Sequence, residues 1–128
     1  MSVLTKDIIC GKQDLEIEKV EVPEWGGDVF IRTLTAAERD QFDTSVYRQE
    51  GIKNYDNLRA RYLCLCLCDE HGVRIFDDRD AEKLGTKSGK VMDRLFGIAQ
   101  RINGMSPADV KEMVKNLDST QKKDSSTD

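Results

Sequence analysis

Few side chains in this sequence have the types and spacing that chemistry needs, and each set falls short of a working site. The single histidine, His71, sits in the turn sequence Asp69-Glu70-His71-Gly72. A catalytic imidazole there needs a nucleophile and an orienting group nearby in space, which the sequence does not show, and solvent exposure is the default for such a turn. Cys64, Cys66 and Cys68 alternate with Leu63, Leu65 and Leu67. The pair Cys64 and Cys68 has the interval of a zinc-binding pair. The intervening leucines, however, predict apolar surroundings, which keep a thiol neutral and unreactive. Disulfides between such near neighbours are geometrically poor. These cysteines therefore read as small buried hydrophobes.

Two further stretches come close to a motif. The loop Gly85-Thr86-Lys87-Ser88-Gly89-Lys90 is rich in glycine and lysine. It lacks the Gly-Lys-Ser/Thr order that places a lysine at the phosphates and a hydroxyl at magnesium. It reads as the approach to a helix. Asp77, Asp78 and Asp80 cluster, but without the central glycine and closing glutamate of a calcium loop. They read as a solvated helix start. We therefore expect no catalytic residues, no metal site and no cofactor, hence no enzyme. Trp25, the only tryptophan, lies in Pro23-Glu24-Trp25-Gly26-Gly27. It either folds back on its own hairpin or serves as an anchor for a partner.

The elements that carry these residues follow from hydropathy patterning. Residues 5–11 predict a short helix capped by Thr5 and ended by Gly11. Residues 16–22 alternate apolar and polar side chains, residues 28–34 are rich in β-formers (Val29, Phe30, Ile31, Thr33), and together they predict a hairpin around the Trp25-Gly26-Gly27 turn. Thr35 and Glu38 have capping-box spacing, which starts a helix that places Phe42 and Val46 on one face and ends near Gly51. From Asn57 the pattern is ambiguous. Leu58, Tyr62 and Leu65 have helical spacing, yet residues 62–68 are apolar throughout, as in a buried strand; the length favours a helix. A turn at 69–72 and a short strand at 73–76 follow, and then one or two helical turns at 77–84. The best amphipathic helix runs from Ser88 to Asn103, with Val91, Leu95, Ile98 and Ile102 as its stripe, widened by Met92, Phe96 and Ala99. Ser106-Pro107 begins a last helix with Val110, Met113, Val114 and Leu117 on one face. The fold class is α+β: an N-terminal β-hairpin or small antiparallel sheet with about four packed helices. Residues 1–117 form a single domain, and 118–128, which hold no apolar residue, form a disordered polar tail.

Composition sets the outer limits. The 128 residues suit one domain. With 38% hydrophobic and 34% charged residues, the core is thin and the surface is charged, so the core has room to be completed by a partner. A net charge of −4, without any basic patch, argues against binding nucleic acid. The longest apolar run, 62–68, is far short of the ~18 residues a membrane helix needs, and the start lacks the pattern of a secretion signal. Neither a membrane nor an export role is expected, which places the chain in the cytoplasm.

The order of three groups of residues resembles the phage tail assembly chaperone family. The first is Val20-Glu21-Val22-Pro23-Glu24-Trp25-Gly26-Gly27, the strand 29–34 and Thr35-Ala36-Ala37-Glu38-Arg39-Asp40. The second is Cys68-Asp69-Glu70-His71-Gly72-Val73-Arg74-Ile75-Phe76. The third is Leu84-Gly85 with Lys87-Ser88, and Leu95-Phe96 with Ile98-Ala99-Gln100-Arg101-Ile102-Asn103-Gly104. The likeness extends to about Asn116, and the leucine–cysteine alternation departs from it. The resemblance implies a protein of long-tailed phages and prophages, acting in the host cytoplasm. It would bind the tape measure protein, keep that long helical rod soluble, help recruit tail tube subunits, and be absent from the finished tail. In many such phages a ribosomal frameshift appends a domain that recruits the tail tube protein, and the segment from Asp118 would suit that join. A holdase needs apolar stripes and solubilising charge, not catalytic residues. Trp25 and the Val110, Met113, Val114 and Leu117 face are the expected partner-binding residues, for a client or for a homo-oligomer. The runner-up is a structural part of the virion, such as a head–tail joining or tail completion protein.

Overall fold

A computed structural model of the chain describes residues 2–46 and 56–104. The expected end of the second helix near Gly51, the helix after Pro107 with Val110, Met113, Val114 and Leu117, and the polar tail all lie outside the described residues.

The expected first helix is present as α1 (Lys6–Cys10), capped by Thr5 and followed by Gly11. Strand alternation then builds the sheet. In β1 (Ile17–Val22), Glu18, Val20 and Val22 turn inward, while Ile17, Lys19 and Glu21 remain exposed. β1 pairs antiparallel with β2 (Gly27–Arg32), from Ile17↔Arg32 to Val22↔Gly27. A single 3₁₀ turn, Pro23–Trp25, joins the strands, and Gly26 closes it at φ 77°, where a side chain would be strained. The second strand stops at Arg32, two residues short of the sequence expectation. Leu34 dives into the core, and its N–H donates to Asn103 Oδ1 at 2.7 Å rather than to a ladder.

α2 (Ala36–Val46) starts on the predicted capping box. Glu38 N–H donates to Thr35 Oγ1 at 3.1 Å, and Thr35 N–H donates to Glu38 Oε1 at 3.0 Å. Phe42 and Val46 are its buried face.

The ambiguous segment is both things in succession. Leu58–Cys66 is a helix, α3, and the backbone then turns extended at Leu67 to give a two-residue strand, β3 (Leu67–Cys68), paired with Phe30 and Ile31. The helix is apolar nearly all round because it is enclosed nearly all round: Leu58, Ala60, Tyr62, Leu63, Cys64 and Cys66 are buried. Tyr62 meets Phe42 of α2 edge-on at 5.0 Å and, on its other side, Phe96 at 5.5 Å. The sheet order is β1-β2-β3.

A helix that ends inside the protein leaves carbonyls without partners. Arg32 Nε donates to Leu65 C=O at 2.9 Å, and Arg74 Nε donates to Cys64 C=O at 3.0 Å. Both cations also favour the negative end of the helix dipole. Each is held in turn by a carboxylate, Glu38 at 2.5 Å and Asp78 at 2.9 Å. Burial acts to raise the Glu38 pKa, but hydrogen bonds from the Thr35 amide and the Arg32 guanidinium outweigh it and hold the carboxyl below its ordinary value.

The strand expected at 73–76 shrinks to one bridge, Cys68↔Arg74. α3 uses the chain through Cys66, so only two residues are left to pair with. Asp69 Oδ1 also accepts the amides of His71 and Val73, at 2.8 and 3.0 Å, which curls the segment. Asp77 and Asp80 form a reciprocal cap on a short 3₁₀ turn that runs into α4 (Ala81–Leu84). Gly85 follows because the Asn57 carboxamide occupies the place its Cβ would take.

α5 (Gly89–Ile102) buries Val91, Met92, Leu95, Phe96 and Ala99 as its pattern predicts. Through Phe96 it joins the aromatic contact that ties α2 to α3. The face is rotated from the expected stripe: Ile98 and Ile102 are half-buried, while Gln100 is fully enclosed. Neither the Oε1 nor the Nε2 atom of Gln100 has a hydrogen-bond partner among the described residues. Asn103, capping α5, donates to Ala99 C=O at 2.9 Å, and Gly104 ends the helix at φ 83°.

Candidate interaction surfaces

Residues with chemical potential lie apart from one another and are occupied structurally. Cys64, Cys66 and Cys68 are buried free thiols. Burial pushes the Cys66 thiol up to about 12 and the Cys64 thiol up to about 11; it raises Cys68 as well. Helical geometry also separates Cys64 from Cys66, since neighbours two apart do not share a face. Among the described residues no three of the His, Cys, Asp and Glu side chains come together to hold a metal ion. His71 is an exposed turn residue, 3.4 Å from Glu70. Asp77 caps its turn, held below the ordinary carboxyl range first by Arg79. The glycine–lysine loop is an exposed link between α4 and α5, with Thr86 Oγ1 donating to Lys83 C=O at 2.6 Å.

A groove of about 360 Å³ runs between α2, α3 and α4, past Phe42, Ser45, Asn57, Arg61, Leu65 and Ala81. Its polar groups are engaged with their neighbours. Arg61 donates to Ser45 Oγ at 2.6 Å and to Asp56 C=O at 3.0 Å, and Asn57 Nδ2 donates to Ala81 C=O at 2.7 Å. No nucleophile–base pair forms there among the described residues.

What the chain displays instead is apolar surface. α1 buries none of its residues. Along residues 2–17, Val3, Leu4, Ile8, Ile9, Leu15 and Ile17 are all exposed, Val3 by 91%. At the base of this arm, Ile17 lies against Gly72, where an added Cβ would stand 3.1 Å from Ile17 Cδ1. The arm thus meets the turn that leads to Val73 and Ile75, which are also exposed. Scattered exposed leucines are ordinary, whereas this many in one stretch mark a surface that something covers.

Trp25 stands at the other end of the hairpin, on the 3₁₀ turn, 37% exposed. Its neighbour Glu24 is clamped by Arg94 of α5 through two hydrogen bonds, 2.6 and 2.9 Å, which bring the Glu24 pKa down to about 2. That clamp ties the turn that carries Trp25 to α5. Of the expected partner-binding residues, Trp25 alone falls within the described structure. Sequence reasoning undervalued the arm. Ile8 and Ile9 were legible as the apolar content of a short helix, but periodicity over so few residues does not reveal whether anything packs on them.

Among the described residues no helix is long and apolar enough to cross a membrane. The fold is similar to that of the bacteriophage HK97 tail assembly chaperone, with a TM-score of 0.58 and 20% sequence identity, over 79% of this chain and 94% of that one. No curated protein matches the sequence. The model of one protein family, described as phage tail assembly chaperone, matches residues 5–116. That match spans most of the chain, from the exposed arm to beyond the last described helix, and so this protein belongs to the phage tail assembly chaperone family.

Proposed function

We infer that this protein acts without turnover in the host cytoplasm. It binds the tape measure protein during tail assembly, keeps it soluble, and helps bring tail tube subunits to it. The observation that carries this reading, beside family membership, is the arm at residues 2–17, whose apolar side chains are buried by no other part of the described structure. A long helical client with apolar stripes would cover such side chains, gaining about 25 cal/mol for each Å² of apolar surface removed from water. Trp25, and the face carrying Val110, Met113, Val114 and Leu117, are further contacts we assign to partners. The acidic surface, with a net charge of −4, would keep the loaded complex in solution.

Co-expression tests the reading. The tape measure protein should stay in the soluble fraction when this chain is present and precipitate when it is absent. Equal precipitation in both cases would refute client binding. Recovery of the chain in purified particles would instead favour a structural role in the virion.

A further inference from the structure

α5 stops while its margin is still apolar. Ile98 and Ile102 lie one turn apart on the same side of the helix, packed on the edge of the core and half-buried. Their outer sides form a ledge at the C-terminal end of α5. Arg101 borders it. Its Nη2 donates to both carboxylate oxygens of Glu18 at 3.1 Å, yet the side chain stays 63% exposed. Two apolar rungs beside a cation suit a short amphipathic helix with an acidic flank.

The chain leaves α5 beside that ledge. Asn103 N–H and Gly104 N–H donate to the carbonyls of Ala99 and Arg101, both at 3.1 Å, and Gly104 takes the left-handed conformation at φ 83°, which turns the chain off the helix axis. Met105 and Ser106 alone separate Gly104 from Pro107, where the sequence predicts the next helix start. A link this short makes consecutive helices antiparallel neighbours. At a rise of roughly 1.5 Å per residue, a helix over 107–117 spans roughly 15 Å, as far as α5 runs from Ile102 back to Met92. In that arrangement Val110 falls opposite Ile102 and Val114 opposite Ile98, with Met113 and Leu117 continuing the stripe. Asp109 then comes to the Arg101 end of the ledge.

We propose that residues 107–117 fold back antiparallel on α5 in the free chain, with Val110 and Val114 seated on Ile102 and Ile98 and Asp109 beside Arg101, as a latch that the client must release. The release step rests on the reading above that the face carrying Val110, Met113, Val114 and Leu117 also takes a partner. That face then has two occupants in turn. The ledge keeps it out of water until a client arrives, and the client binds it only in the fraction of chains whose latch is open. The arm at residues 2–17 takes no part in the latch, so a client can make its first contact there. Docking of the latch and binding of the client can therefore fail separately.

Amide exchange of the free full chain tests the docking. Amides at 110–117 should exchange at least about tenfold more slowly than in an unstructured chain. Ile98→Ser with Ile102→Ser, on the ledge, should remove that protection while the α3 amides stay protected, which shows that the fold persists. Val110→Ser with Val114→Ser, on the latch, should remove it without any change to α5. No protection in wild type, or undiminished protection in either variant that keeps α3 protected, would overturn the proposal. As a second readout, Ile102→Cys with Val110→Cys in a Cys10→Ser background should oxidise to a disulfide within one chain, because the docked pair brings the two Cα atoms within roughly 7 Å. A folded variant that forms no cross-link, or forms it only between chains, would overturn the fold-back. The oxidised form should bind a tape measure fragment about tenfold more weakly than its reduced form. Equal binding would overturn the release step. If the wild type does not bind the fragment either, client binding fails and the release step falls with it, while the docking is decided by exchange and the cross-link alone.

Discussion

α1 and α3 are built from similar apolar side chains and have opposite fates. α3 is nine residues long, enclosed nearly all round, and its C-terminal carbonyls are taken by Arg32 and Arg74. α1 is five residues long, capped by Thr5 Oγ1 at 3.4 Å and by Gly11, and buries nothing. A single helical turn has little stability of its own in water. Burial that α3 finds among the described residues is not found there by α1. The contrast separates what holds this protein together from what it presents to others.

Thiol chemistry should show the contrast most widely. Cys10 belongs to the exposed helix, while Cys64 and Cys66 are enclosed and held neutral. In native buffer a disulfide reagent should modify Cys10 at least ~10³-fold faster than Cys64 or Cys66, and all four thiols at similar rates in denaturant. Equal native rates would mean that the α3 region opens as readily as the arm.

Stability should divide along the same line. Leu95→Ala removes a fully buried side chain from α5 and should cost about 3 kcal/mol in urea unfolding. Arg32→Met should cost about 2 kcal/mol, because it strands the Leu65 carbonyl and leaves Glu38 without its partner. A pH series sharpens that test. With its pKa held below the ordinary value, Glu38 contributes stability that is full above the ordinary carboxyl range and is lost as the pH falls through its lowered one. The acid-side loss should be smaller in Arg32→Met than in wild type. Ile8→Ser, on the arm, should change stability by less than about 0.5 kcal/mol. A larger loss there would show that the arm packs on the rest of the chain.

Much of the frame was legible because it rests on local rules. The Thr35–Glu38 capping box, the Gly104 stop and the hairpin alternation each need only neighbours in sequence, and each is present. Long-range bonds were not legible. Leu34 leaves the strand for Asn103, 69 residues away, and Arg32 and Arg74 close the end of α3 from two other segments. Rotation of α5, which encloses Gln100 and leaves Ile98 and Ile102 at the margin, depends on which neighbours surround it and has no signature in periodicity alone. The all-apolar run at 62–68 was open to a buried strand as well as to the helix that its length favoured, and most of it is helical. Enclosure on nearly all sides allows apolar residues at every position, so the period carries no information there. Of the expected interaction residues, Trp25 lies at the margin between packed and exposed, and the exposed arm emerged only from the packing around it.

Amide hydrogen exchange of this chain, alone and bound to a tape measure fragment, addresses most directly whether the apolar arm is the client's landing surface. Free, residues 3–17 should exchange fast and the α3 amides slowly. In the complex, new protection should appear across 3–17 while α3 and α5 stay as they were. A stable complex in which those arm amides exchange as fast as before would show that the client binds elsewhere.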